Sequence, residues 1–272
     1  MSDFLSGLFS YGFFLRAIVV GVMVALCAAL LGVTLTLKKY SMIGDGLSHV
    51  GFGAMTVALA LNLAPLWIAV PVMLLSAFLL LRLEENSRIN HDAAIAIISS
   101  GAIAVGITAA SLAGGMNTDV YGYMFGSILA VSKSDVILAL SLGSAMLIVF
   151  FLCYHRVFAV TFDEEFASAT GVKTKAFNFL FAMLTAATIL VGMRIVGTML
   201  ISGLIIFPAI TAMRLFRSFK KVTVASAVIS VTAFLLGMLA SYAFAYIPAG
   251  AGVVLVNLIF LGIACLIGKK QY

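Results

Sequence analysis

An aspartate and a histidine stand four residues apart in the segment SMIGDGLSHV (41–50), which carries no other ionisable side chain. On a helix, positions i and i+4 lie on one face about 6 Å apart, so Asp45 and His49 would point the same way. A carboxylate oxygen and an imidazole nitrogen form half of a transition-metal site, and a carboxylate within a membrane can also relay protons. The alternative is structural: Asp45 follows Gly44 and could cap a helix, while His49 hydrogen-bonds inside the bundle.

A second candidate is the acidic segment FDEEFASATGV (162–172). Asp163 can cap a short helix whose first turn carries Glu164 and Glu165, an arrangement that complements the helix dipole. Gly171 can end this helix. Basic residues flank the segment, which indicates the cytoplasmic side, where such a helix could dock on a partner. An ordinary solvated loop is the alternative.

Two further segments are predicted to lie on the outer side of the membrane. Arg194 lies near the end of an apolar run, and we expect its side chain to snorkel to the interface, with an outer gate as its alternative role. The stretch YGYMFGSILAVS (121–132) is apolar and aromatic but too short to cross a bilayer. It is typical of a re-entrant or interfacial helix.

The elements that must position these side chains are membrane helices. Of 272 residues, 64% are hydrophobic and 10% are charged, against about 25% charged in soluble domains. Because the basic residues cluster between apolar runs, the net charge of +6 does not indicate nucleic-acid binding. We predict an all-α polytopic membrane protein, a single transmembrane domain over 1–272, with about nine spans and eight as the alternative. The spans cover 14–37, 42–62, 63–82, 93–113, 135–154, 176–194, 195–213, 222–246 and 249–268.

The distribution of basic residues predicts the orientation of the spans. Loops on the cytoplasmic side are enriched in lysine and arginine. With the N-terminus outside and the C-terminus cytoplasmic, 13 of the 16 basic residues lie inside. These are Lys38, Lys39, Arg82, Arg88, Arg156, Lys173, Lys175, Arg214, Arg217, Lys220, Lys221, Lys269 and Lys270. Counted along a continuous helix from Lys38, Asp45 and His49 would lie about 10 and 15 Å deeper, near the bilayer middle.

Signatures of several enzyme classes are absent from the sequence. There is no GxxxxGK[ST] segment to cradle ATP phosphates, and neither HExxH nor GxSxG occurs. We therefore do not expect this chain to act alone as an ATPase, a metalloprotease or a serine hydrolase, and we expect no permanently bound cofactor. An intramembrane enzyme is the weakest hypothesis, because Asp45 and His49 have no nucleophile or third zinc ligand near them in sequence.

Four segments occur in an order and at distances similar to those of one family: SMIGDGLSHV, YMFGSILAVS, FDEEFASATGV and RIVGTMLISGLIIFPAITAMRL. Together they resemble the membrane permease of bacterial zinc/manganese (chelated metal) ABC importers, over nearly the whole chain. The resemblance implies that Asp45 and His49 contact metal on the translocation path. It also implies that the acidic segment from Asp163 to Gly171 is a coupling helix that docks on an ATPase.

The resemblance further implies partners, location and cargo. Two copies of the permease form a homodimer in the bacterial cytoplasmic membrane, two cytoplasmic ABC ATPase subunits bind it, and an extracellular or periplasmic protein delivers the metal. Membrane lipid surrounds the dimer. We expect Zn²⁺ as cargo, because GDGLSHVGFGA resembles zinc-type members in the small and apolar residues after His49. Import of Mn²⁺ or iron by the same mechanism is the alternative, and secondary transport driven by an ion gradient through Asp45 is the alternative from another class.

Overall fold

The computed structural model describes residues 12–86, 91–115, 118–126, 131–244 and 246–268. Within this part of the chain there are twelve helices and no strand, which confirms the predicted all-α class. The first six are α1 (Gly12–Leu37), α2 (Ile43–Ala60), α3 (Pro65–Asn86), α4 (His91–Leu112), α5 (Thr118–Phe125) and α6 (Lys133–Leu152). The others are α7 (Tyr154–Phe162), α8 (Glu164–Ala169), α9 (Thr174–Val196), α10 (Thr198–Leu215), α11 (Phe219–Ala243) and α12 (Ala249–Gly268).

Seven of these helices are long and apolar enough to cross a membrane: α1, α3, α4, α6, α9, α11 and α12. The helices α2 and α10 are shorter, with 18 residues each. Each predicted span coincides with one of these helices to within a few residues. That all of them cross the bilayer stays a prediction, as do the orientation, the dimer and the single domain.

Among the seven long apolar helices, α1 and α9 are the most buried. In the most hydrophobic stretch of each helix, 72% of the residues are buried in α1 and 67% in α9. The corresponding fraction is 22–28% in α3, α4, α6 and α12. Leu31 of α1 and Ile189 of α9 are fully buried, whereas Ile137 of α6 and Leu255 of α12 are exposed. Exposed apolar side chains on these outer helices are favourable in a membrane, because lipid tails are as apolar as leucine.

Glycine brings the backbones of α2 and α4 into contact. A Cβ added at Gly53 would lie 2.4 Å from the carbonyl oxygen of Ala102 in α4. A Cβ added at Gly106 of α4 would lie 2.9 Å from the Cα of Gly53. Small residues at helix interfaces allow this close approach in membranes. The helix that carries Asp45 and His49 is therefore held tightly against α4.

The turns before and after α2 each hold a non-glycine residue at positive φ. Lys39 has a φ of 63° and Asn62 a φ of 53°. The amide of Tyr40 donates to the carbonyl of Leu35 at 2.7 Å, which is part of a Schellman termination of α1. A left-handed conformation costs an ordinary side chain about 1 kcal/mol. The chain thus enters α2 through a mildly strained turn.

Candidate metal site and coupling segment

Asp45 and His49 lie together at the start of α2. The distance from Asp45 Oδ2 to His49 Nε2 is 3.5 Å, and the side chains are 32% and 16% exposed. The N-cap of the helix is Met42, which makes no side-chain capping bond, and Asp45 lies inside the first turn. Asp45 is therefore not the N-cap residue. The oxygen and nitrogen donors share one face, as their spacing predicted.

The depth of the pair cannot be counted from Lys38. The estimate of about 10 and 15 Å assumed a continuous helix, but α1 ends at Leu37 and the chain turns before α2 begins. That assumption was wrong, because a turn with Lys39 at positive φ separates the two helices. Along the axis of α2, Asp45 and His49 lie about 3 and 9 Å from the first residue of the helix.

Side chains from three other helices surround the pair. The Ser202 hydroxyl of α10 lies near the Asp45 carboxylate. Ile95 of α4 and Met193 of α9 pack against glycines of α2 next to the pair. Sequence reasoning missed Ser202, because a serine in an apolar run carries no signal of its own. Only the packing of α10 on α2 brings it to the site.

The donor set of the site is one carboxylate, one imidazole and one hydroxyl. These groups could hold a divalent transition metal through two or three bonds, with water or a second copy of the chain supplying the others. Among the residues that the structure describes, no group of three or more His, Cys, Asp and Glu side chains could hold a metal ion. One chain therefore offers a partial ligand shell in its described part.

The acidic segment forms the predicted short helix, α8. Asp163 is its N-cap, and the carboxylate accepts a hydrogen bond from the Phe166 amide at 2.8 Å. At the other end, the Val172 amide donates to the Ala167 carbonyl at 3.0 Å, and Gly171 has a φ of 89°. This is a Schellman termination, in which glycine adopts the left-handed conformation most easily. The loop alternative is wrong for this segment, and the capping predicted for both ends is confirmed.

The two glutamates of α8 face different surroundings. Glu164 accepts hydrogen bonds from Lys38 Nζ at 3.0 Å and from Asn178 Nδ2 at 2.7 Å. Lys38 Nζ also donates to Asn178 Oδ1 at 2.7 Å. Glu165 is exposed, and Phe166 beside it is 63% exposed. The free surface of α8 thus presents a carboxylate and an aromatic ring, while Glu164 is held by the chain itself.

Arg194 lies near the opposite end of α9 and is paired. Its guanidinium contacts the Asp135 carboxylate, which also accepts hydrogen bonds from the Ser132 amide at 2.8 Å and hydroxyl at 2.7 Å. The Asp135 side chain is only 7% exposed, so a buried ion pair replaces the snorkelling expected of Arg194. Because 16 residues separate Asn178 from Arg194, these two polar clusters lie about 24 Å apart along α9.

A short helix forms where the aromatic stretch 121–132 begins, as expected. This helix, α5, ends at Phe125, and residues 127–130 of the stretch lie outside the described residues. Gly126 follows with a φ of 81°, and a Cβ added there would lie 2.0 Å from the Ile195 carbonyl oxygen. The backbone after α5 therefore touches the end of α9 beside Arg194.

Known proteins that are similar to this chain match it over nearly its whole length. The family model described as "ABC 3 transport family" matches residues 10–268. The manganese import system permease protein ScaB of Streptococcus gordonii is 28% identical over 271 residues, covering 100% of this chain and 97% of its own. The manganese transport system membrane protein MntC of Listeria monocytogenes is 28% identical over 268 residues, covering 98% and 95%. The solved structure "PsaBC from Streptococcus pneumoniae in complex with Fab" superposes with a TM-score of 0.88 at 30% identity, covering 99% of this chain and 97% of that one.

Proposed function

The chain belongs to the ABC 3 transport family, and we propose that it is the permease subunit through which an ABC importer takes up a divalent transition metal, with Mn²⁺ as the cargo. The chain is a multi-pass protein of the cytoplasmic membrane. The observation that carries the proposal is the Asp45–His49 pair on α2, which joins an oxygen and a nitrogen donor inside a membrane bundle. An ionisable pair in such a position marks an ion pathway.

Manganese is favoured over the zinc expected from the sequence. That expectation rested on the small and apolar residues after His49, whereas both curated relatives described above are named for manganese. The donor set supports the same cargo, because the Asp45 carboxylate and the Ser202 hydroxyl are oxygens, which suit Mn²⁺. Zinc more often takes nitrogen and sulfur ligands in proteins. Iron ranks behind both metals.

The site binds its cargo transiently in this proposal. A conducting site must be weak enough to release its ion, and the partial shell of Asp45, His49 and Ser202 meets that need. A second copy of the chain would add the same donors across a dimer axis. Water would complete the larger shell that Mn²⁺ prefers. No metal is held permanently, and the ion is the transported substrate.

We assign ATP hydrolysis to separate ABC ATPase subunits that dock on α8. The chain has no GxxxxGK[ST] segment of its own. Exposed Phe166 offers an aromatic anchor, and exposed Glu165 offers a charge that steers association. Asp163 and Gly171 hold the ends of the helix. Removing residues 162–171 should therefore abolish copurification with the ATPase or uncouple hydrolysis from transport.

We assign delivery of the metal to the face of the bundle opposite α8. A metal-binding protein on the outer side would present the cargo there. The Arg194–Asp135 ion pair joins α9 to α6 at that end, and Gly126 touches the same end of α9. We propose this pair as part of an outer gate. Opening would require its buried charges to separate, so the gate would favour the closed state.

Metal uptake by cells tests the proposed function. The host lacks its own manganese importer and expresses the chain with its ATPase and metal-binding protein. Asp45→Asn or His49→Ala should abolish Mn²⁺ uptake while membrane insertion persists, because each removes one donor of the pair. Asp92→Asn is the matched control, since Asp92 is an exposed aspartate in the first turn of another membrane helix, α4.

Three outcomes would each overturn part of the proposal. Growth that is rescued by Zn²⁺ and not by Mn²⁺ would overturn the cargo and leave the permease assignment intact. Uptake that continues without the ATPase and follows an imposed ion gradient would identify a secondary transporter. Wild-type uptake by both pair variants would remove Asp45 and His49 from the metal path.

A further inference from the structure

Three polar side chains from different parts of the fold close a hydrogen-bonded ring beside α8. Lys38 follows α1, Glu164 begins α8 and Asn178 lies near the start of α9, and each contacts the other two. The ammonium donates to both partners, the carboxylate accepts from both, and the amide does one of each. Every member therefore contributes a donor or an acceptor to each of its two partners, and none can be replaced by an apolar group without opening the ring.

The ring is sheltered more than an ordinary surface ion pair. The Lys38 side chain is 11% exposed and that of Glu164 is 39% exposed. Lys38 and Asn178 also line a mainly apolar cavity together with Ile43 and Phe177. Fully exposed ion pairs contribute little, but polar groups next to an apolar cavity interact more strongly because water screens them less.

The ring links α8 to the metal pair along two routes. Lys38 lies in the turn that leads into α2, and Asp45 is only seven residues further along the chain. Asn178 belongs to α9, and Met193 of the same helix packs against α2 beside the pair. A displacement of α8 would therefore reach α2 both through the turn and through a rigid helix.

We propose that Lys38, Glu164 and Asn178 form a polar latch that transmits movement of α8 to the helices holding Asp45 and His49. The inference rests on the proposed function, because it requires an ATPase that moves α8. Glu164 becomes a positioning residue that acts through the membrane helices. Contact with the ATPase falls to the exposed side chains of α8.

The number of metal ions transported per ATP hydrolysed tests the latch in the reconstituted complex of permease and ATPase. Lys38→Met should leave copurification with the ATPase intact and lower this ratio by roughly tenfold, a typical coupling between two sites. Lys173→Met removes an exposed lysine at the start of α9 and is the matched control. Its ratio should equal that of the wild type.

Exchange of the two charges separates transmission from a general structural role. The double variant Lys38→Glu with Glu164→Lys keeps opposite charges, and Asn178 can turn its amide to serve both. The ratio should recover toward the wild type, whereas Lys38→Glu alone should not recover. Glu164→Gln keeps the size of the side chain and one acceptor, and it should lower the ratio even if the exchange variant does not assemble.

Different outcomes would refute the latch and the proposed function. A wild-type ratio in Lys38→Met or Glu164→Gln would overturn the latch, as would an assembled exchange variant without recovery. A wild-type complex that transports no metal with ATP would overturn the proposed function instead. Loss of copurification in Lys38→Met would place the residue in docking and would also overturn the latch.

Discussion

Asp135→Asn should destabilise the protein by about 3 kcal/mol. The change keeps the size of the side chain and an oxygen that can accept from the Ser132 amide, but it removes the charge that faces Arg194. Breaking a buried ion pair by removing one partner costs about 3–5 kcal/mol, because the other charge stays buried. Arg194 is 22% exposed, which places the expected loss at the lower end of that range.

The contribution of the ion pair can be separated from that of the helix cap. Asp135 and Ser132 form a capping box at the start of α6. Ser132→Ala removes the cap and should cost about 1 kcal/mol, so Asp135→Asn should be clearly more harmful. Adding Arg194→Met to Asp135→Asn should recover much of the loss, because an apolar side chain leaves no buried charge behind.

Thermal or denaturant unfolding of the purified protein in lipid nanodiscs measures these changes. The wild type, Asp135→Asn, Arg194→Met and the variant with both changes form a double-mutant cycle, which isolates the interaction between Asp135 and Arg194. The double variant should be more stable than Asp135→Asn alone. A loss for Asp135→Asn no greater than that for Ser132→Ala would refute the reasoning. So would a double variant whose loss equals the sum of the two single losses.

Packing, backbone strain and cargo selection each offer a further test. Gly53→Ala should lower the melting temperature, because the new Cβ would lie 2.4 Å from the Ala102 carbonyl oxygen. Gly101→Ala is the control, since a Cβ at that position meets nothing within 4 Å. Equal melting temperatures for the two variants would contradict this prediction. Lys39→Gly should raise the free energy of unfolding by roughly 0.5 kcal/mol, since the relieved strain exceeds the added chain entropy, and an unchanged unfolding curve would argue against strain at this turn. Ser202→Ala should reduce Mn²⁺ uptake more than Zn²⁺ uptake, because the lost oxygen suits manganese better, and equal losses for both ions would remove Ser202 from cargo selection.

The helices could be predicted from the sequence because their signals are local. A segment within lipid must be a continuous apolar helix, so each run of hydrophobic residues marks one element. The ends of α8 were also predictable, because Asp163 and Gly171 are the residue types that cap and terminate helices. Asp45 and His49 share a face for the same reason, since a spacing of four residues is a property of the helix alone.

The contacts between helices could not be predicted, because they join residues far apart in the chain. Arg194 meets Asp135 across 59 residues, and Glu164 meets Lys38 across 126. Each of these side chains looks ordinary in its own segment, and only packing decides which charge it faces. The depth estimate failed at Lys39, whose positive φ is rare for a lysine and carries no compositional signal.

The double capping of α8 bears on how tightly another protein can hold it. A helix of six residues is too short to be stable alone in water, yet both of its ends are closed by hydrogen bonds within the chain. The ATPase that we propose to dock on α8 would find the helix already ordered, so little conformational entropy would be lost on association. More of the contact energy of the exposed Phe166 ring then appears as affinity, and the recognition surface keeps its shape each time the partner dissociates.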